Sequence, residues 1–173
     1  MLESLADYRK QRAMHAMKEF LKQMTRTTFR QANLFAQQNW PAHGWGIGQN
    51  GSIAGIVVHV TAWKEFTLPV LQGNTQMPPT HSIMQWPTPN TANWKQTRQW
   101  AAKTADEWQQ AVEQLQDSDW QREVHWENDY KITLGNLVDE ILEHDIQHAA
   151  QIEYLLQRIA TENSQTAAHG STG

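Results

Sequence analysis

The chain contains no cysteine among its 173 residues. Disulfides and thiolate metal ligands are therefore excluded, and so is the commonest protein nucleophile. A metal ion would have to be held by His, Asp, Glu or water, and thiol chemistry would need a thiol from outside. Charge is scarce too. Asp, Glu, Lys and Arg together make up 18%, the net charge is −4, and no basic block occurs anywhere. Duplex binding needs a dense Lys/Arg footprint, so nucleic acid is not an expected partner. No apolar stretch comes near the ~18 residues of a membrane span. The opening MLESLADYRKQRAMHAMKEF lacks the apolar run of a signal peptide. A cytoplasmic protein without a membrane partner is expected.

Tryptophan is abundant instead, with nine residues, and the polar excess is glutamine rather than charge. Hydrophobic residues make up 39%, which is lean for a core but sufficient at this length. One domain over residues 1–160 is expected, followed by a small polar tail, 161–173, expected to be disordered. The tryptophans are read first as packing for the core and its loops. The sharper alternative is that several line a ligand pocket.

Periodicity divides the domain into four helices. The first runs from about Leu5 to Met24, with Met14, Met17, Leu21 and Met24 at three- and four-residue spacing, and continues or restarts toward Phe35. NWPAHGWGIGQNG is a loop. Ser52 is a natural N-cap for a second helix over Ile53–Leu71, with Pro69 stopping or kinking its end. Residues 72–92 hold four prolines and form a long connection. The third helix spans Asn93–Gln116, with Trp100, Ala101, Ala105, Trp108, Val112 and Leu115 facing inward, and Asp117-Ser118-Asp119 ends it. WQREVHWENDYKI reads as a short hairpin or strap. Thr133 caps a fourth helix over Leu134–Ala160, the most strongly periodic segment. The fold class expected is all-α: a four-helix bundle with a long crossover between helices two and three, which can set neighbouring helices parallel.

Three histidines fall on the core stripes. His144 and His148 are four residues apart on one face of helix four, among Leu134, Leu137, Val138, Ile141, Ile152, Leu155 and Ile159. His59 sits among Ile56, Ala62, Trp63 and Phe66 on helix two. A buried imidazole without a partner costs about 1–3 kcal/mol, and one metal ion would satisfy all three. Three protein ligands leave coordination positions open, as catalytic sites do. The competing reading is ordinary core histidines hydrogen-bonded to neighbours. HxxxH alone is weak, and the zinc-protease form needs Glu after the first His. Here that residue is Asp145, so a protease is rejected. Asp145 lies beside the apolar stripe. It either orients a ligand histidine or pairs with a basic residue on another helix. His15, His43, His81 and His169 are read as solvated, while His125, on the strap, is left between a surface role and an approach to the site.

GSIAGIVVHVTAWKEF around His59 and TLGNLVDEILEHDIQHAAQIEYLLQRI around His144 and His148 carry a resemblance. The chain resembles the DinB/YfiT-like superfamily of bacterial metal-binding four-helix bundles over most of its length. Gln151-Ile152 stands where that family often has Gly-Gln-Ile, with Ala150 in place of the glycine. The resemblance implies that His59, His144 and His148 bind a divalent ion (nickel, zinc or iron), that the protein is a homodimer, and that a low-molecular-weight thiol is a possible cosubstrate. It does not imply DNA binding.

The sequence is thus read as a divalent-metal protein, a metal-dependent enzyme of the thiol S-transferase or hydrolase type acting on a small molecule. Trp63 would wall the pocket, and the Pro-rich connection from Gln72 to Asn90 would cover it. The alternative is a stress-associated protein that holds metal or a small ligand without turnover. A plain helical interaction module is a weaker third reading.

Overall fold

A computed structural model of the chain describes residues 4–25, 52–79 and 91–170. The expected loop at 39–51, the continuation toward Phe35 and residues 80–90 of the long connection lie outside these. Four helices are described: α1 (Leu5–Thr25), α2 (Ile53–Leu71), α3 (Trp94–Gln114) and α4 (Leu134–Gly170). A two-stranded antiparallel hairpin, β1 (Glu123–His125) and β2 (Lys131–Thr133), stands between α3 and α4. None of the described helices is long and apolar enough to cross a membrane.

Each helix start has a local cause. Ser4 and Asp7 make a reciprocal cap on α1: the Asp7 N–H donates to Ser4 Oγ, and the Ser4 hydroxyl donates to Asp7 Oδ2. Ser52 Oγ accepts from the Gly55 N–H at 3.0 Å, so α2 begins where expected. Thr133 Oγ1 accepts from Asn136 N–H at the start of α4. The β-branched run Ile56-Val57-Val58 stays helical because burying Ile56 and Val57 outweighs a small propensity cost. Pro69 sits in the last turn of α2, and Gly73, at φ +112°, turns the chain away.

α1 packs on α3 and α4, and α2 packs on the same two helices. Two apolar clusters fill the interior. Trp63, Phe66, Val70 and Leu71 of α2 meet Trp108, Val112 and Leu115 after the middle of α3, and Leu134–Leu142 at the start of α4. Ile53, Ile56, Val57 and Val60 meet Trp94, Ala101, and Ile152, Leu155 and Ile159 far along α4. Early α2 thus faces early α3 and late α4, so α2 and α3 run parallel while α4 runs against them. The Trp108 indole N–H donating to Thr67 Oγ1 at 3.1 Å fixes the α2–α3 register. Trp100, expected on the inner stripe, is only half-buried.

α1 reaches the bundle through polar contacts at its start. Arg9 donates twice to Asp139 Oδ2, at 3.0 and 2.7 Å. Lys10 Nζ donates to the Glu113 and Leu115 carbonyls at the end of α3, where a cation is favoured. Met14 is exposed rather than inward, because the face turned to the neighbours runs through Ala6, Arg9 and Lys10. Gly135 allows the close approach of Arg9: a Cβ there would lie 2.6 Å from Arg9 Nη1 and 3.0 Å from the Trp120 carbonyl oxygen.

The strap is a hairpin, with Val124 opposite Ile132 and both turned into the core. The start of the 72–92 connection joins it, since Met77 N–H donates to the His125 carbonyl and His125 N–H to the Thr75 carbonyl, both at 2.8 Å.

One expectation is corrected. α4 does not end at Ala160 but continues through Gly170, across most of the segment expected to be disordered. The stretch TENSQTAAH is polar, but it has neither proline nor glycine, and its Ala, Glu and Gln are good helix formers. Polarity there sets exposure, not loss of helix.

Candidate metal centre

His59, near the middle of α2, and His144 and His148, in the first half of α4, lie between the two apolar clusters. Because α2 and α4 are antiparallel, residues at these positions reach the same height in the bundle. His59 is 4% exposed and His148 6%, while His144 is partly exposed. Their ring centroids are 4.4–4.9 Å apart. His144 Nε2 stands 2.8 Å from His59 Nε2 and 3.2 Å from His148 Nε2. One ligand atom from each of the three lies within 4.8 Å of the others. Nitrogens about 2.0–2.1 Å from a single ion are about 2.9–3.4 Å apart at angles from right to tetrahedral. The two pairs that His144 makes are close to that spacing.

Gln151 Oε1 accepts from His148 Nδ1 at 2.7 Å. An amide oxygen can only accept, so the His148 proton is on Nδ1 and the Nε2 lone pair points at the other two rings. His144 Nδ1 is buried without a hydrogen-bond partner. A neutral His144 has one N–H to offer. It cannot serve two convergent nitrogens well, and this set of donors and acceptors suits a cation at their meeting point.

Electrostatics point the same way. Burial pushes His59 down to about 3, helped by the neighbouring His148 and Lys64. Burial pushes His144 down to about 2, helped by His148, His59 and Lys64. His148 is lowered by burial and Lys64, with the Gln151 hydrogen bond opposing. All three imidazoles are neutral at physiological pH, the form that binds metal.

Asp145 takes the second of the two roles open to it. Its Oδ1 accepts from Lys64 Nζ at 2.6 Å, with both side chains essentially inaccessible. Its Oδ2 has no hydrogen-bond partner. Asp145 therefore does not orient a ligand histidine. One residue on from His144, it is rotated about a quarter turn around α4, toward Lys64 on α2 and away from the imidazole nitrogens. Burial raises the Asp145 carboxyl and lowers the Lys64 ammonium, and each group opposes the shift of the other.

Trp63 is buried one turn beyond His59, with its ring 6.5 Å from the His59 ring and 6.2 Å from that of His144. It packs edge-on against Phe66 and at a tilt against Trp126 of the hairpin, with ring centroids at 5.5 and 6.0 Å. His125 faces away, half-exposed beside Glu123, and is no part of the cluster. His15 is exposed, as expected, while His43 and His81 lie outside the described residues, as does the His169 side chain.

Lys64, Gln151 and Trp126 were not assigned roles from the sequence. Lys64 did carry a signal. It falls on the stripe Ile53, Val57, Val60, Thr67, Leu71, and Asp145 falls on the stripe Leu134, Val138, Ile141, His148, Ile152. One charge of each sign on two facing core stripes implies a cross-helix pair.

A family model described as the DinB superfamily matches residues 6–152, which include every residue of the cluster. No curated protein and no solved structure gives a significant match.

Proposed function

Since the chain belongs to the DinB superfamily, we propose that it binds one divalent ion through the Nε2 atoms of His59, His144 and His148 and acts as a metal-dependent enzyme of the thiol S-transferase or hydrolase type. The observation that carries this reading is the convergence of three neutral imidazole nitrogens, 2.8 and 3.2 Å apart, inside an otherwise apolar core. Imidazole ligands suit zinc, nickel or ferrous iron. A divalent ion lowers the pKa of a bound water or thiol and supplies a nucleophile at neutral pH. The chain's own part is to hold three ligands neutral, to fix the His148 ring through Gln151, and to wall the approach with Trp63, backed by Phe66 and Trp126. The absence of cysteine fits a thiol that comes from outside. A small-molecule substrate and a homodimer belong to the same proposal, the latter checked by light scattering.

The second reading is a binding protein without turnover. It is favoured by one observation: Asp145, the only buried carboxylate among the described residues, is held by Lys64 and is not poised as a general base.

Metal content tests the shared part. Untagged wild-type protein should carry about one divalent ion per chain by mass spectrometry, and His148→Ala should lose it. Equal, negligible metal in both would end the proposal. Thiol consumption with electrophilic acceptors then separates the two readings. Turnover by the metal-loaded protein supports the enzyme, and its absence with the common bacterial thiols supports the binder.

A further inference from the structure

A cation-binding cluster is an unexpected place for a buried ammonium. Lys64 follows His59 by five residues on α2, and its side chain is buried between the same two helices that carry the three imidazoles. Its positive charge would repel a divalent ion. Asp145 lies between His144 and His148 on α4 and meets Lys64 at 2.6 Å, with side-chain exposures of 2% for Lys64 and 0% for Asp145. Solvent and salt screen both groups much less at that depth than at the surface. Whichever partner holds the shared proton, the pair as a whole carries no net charge.

We propose that Asp145 is a positioning residue whose task is to cancel the field of Lys64 at the three-histidine cluster, so that the pair holds α2 against α4 while leaving the cluster able to accept a cation. This rests on the metal reading above and adds to it a determinant of affinity that does not touch the ion. A pair serving only to join two helices would make loss of either partner harmful to metal binding. Charge cancellation gives the two losses opposite signs.

Zn²⁺ affinity of the untagged, metal-stripped protein, measured by competition with a chromophoric chelator, decides the matter. Asp145→Asn keeps an acceptor for Lys64 and removes the negative charge. It should bind Zn²⁺ about tenfold to a hundredfold more weakly, the range typical for groups behind metal ligands. Lys64→Gln keeps a donor for Asp145 and removes the positive charge, and it should bind more tightly than wild type. The double variant restores neutrality and should lie within about threefold of wild type. Should either single variant fail to fold, as judged by circular dichroism of the metal-free protein, the double variant still decides: a loss as large as tenfold overturns the inference. Weakening of both single variants alike also overturns it and leaves the metal site standing. Wild-type protein that takes up no Zn²⁺ overturns the metal site and this inference together.

Discussion

Lys64 and Asp145 share one level of the bundle with His59, His144 and His148, and all five come from the same two helices. Yet the two groups are completed differently. The lysine and the aspartate answer each other, donor to acceptor and plus to minus, within 2.6 Å. The histidines present three nitrogens to one point, and the outer nitrogen of His148 is held by a hydrogen bond to Gln151. A buried polar pair can be self-sufficient when its members differ in sign. His144, with one N–H to offer, cannot serve both neighbouring nitrogens, and under the metal proposal that difference leaves the histidines as the group able to receive a cation.

Breaking the self-sufficient side should have the largest effect. Asp145→Ala leaves the Lys64 ammonium buried without a counter-charge and should destabilise the fold by about 3–5 kcal/mol in urea unfolding. Replacing both residues, as Lys64→Met with Asp145→Leu, should cost little or nothing, because apolar side chains of similar volume fill the same space. A double variant as unstable as the single one would show that the two groups do not act as a pair.

Acid should strike the other side. His59 and His144 titrate at about 3 and about 2 when folded, against about 6.5 unfolded. Between those values the unfolded chain binds more protons than the folded one. Stability should therefore hold above about pH 6.5 and fall progressively as pH drops from there toward 3. Unfolding midpoints of the metal-free protein across that range check the sign, and replacing His59 and His144 together by Gln should flatten the slope.

Metal should move the same side in the opposite direction. At a hundredfold excess over its dissociation constant, one ion bound only to the folded state adds about 2.7 kcal/mol. Thermal unfolding should rise with added Zn²⁺ in wild type and in the Lys64→Met/Asp145→Leu variant, and should not move in His144→Ala. The smallest expected effect belongs to Gln151→Leu, which frees the His148 ring without removing a ligand. A loss of about tenfold in metal affinity is expected by chelator competition, with the apo fold unchanged by circular dichroism.

Much of this was legible in the sequence because spacing reports which side of a helix turns inward. The Ser52 cap and the last apolar residue, Leu71, set α2 correctly. The positions of His59, His144 and His148 on core stripes were enough to nominate them. Spacing does not report which residue of a second helix stands at the same height. Spacing puts Asp145 beside the apolar stripe, but its partner depends on the antiparallel alignment of α2 and α4, which periodicity does not report, so Lys64 is not identified from the sequence. Gln151 escaped for a related reason: its bond to His148 depends on the ring's rotation, which sequence periodicity does not encode. The end of α4 was misjudged because a polar composition was read as loss of order, although Ala160 and Gln157 carbonyls accept from Ser164 and Thr161 along an unbroken helix.

At Gly135 the surface of α4 narrows to a notch barely one atom deep, and the Arg9 guanidinium lies in it. A Cβ there would meet the guanidinium at 2.6 Å and push the flexible end of Arg9 aside, loosening its bonds to Asp139 on the neighbouring helix. The notch stands well ahead of the histidines along α4, on the stretch that meets α1. The outer helix could therefore be loosened there while the imidazoles stay where they are, which makes this glycine a handle for separating the assembly of the scaffold from the chemistry it carries.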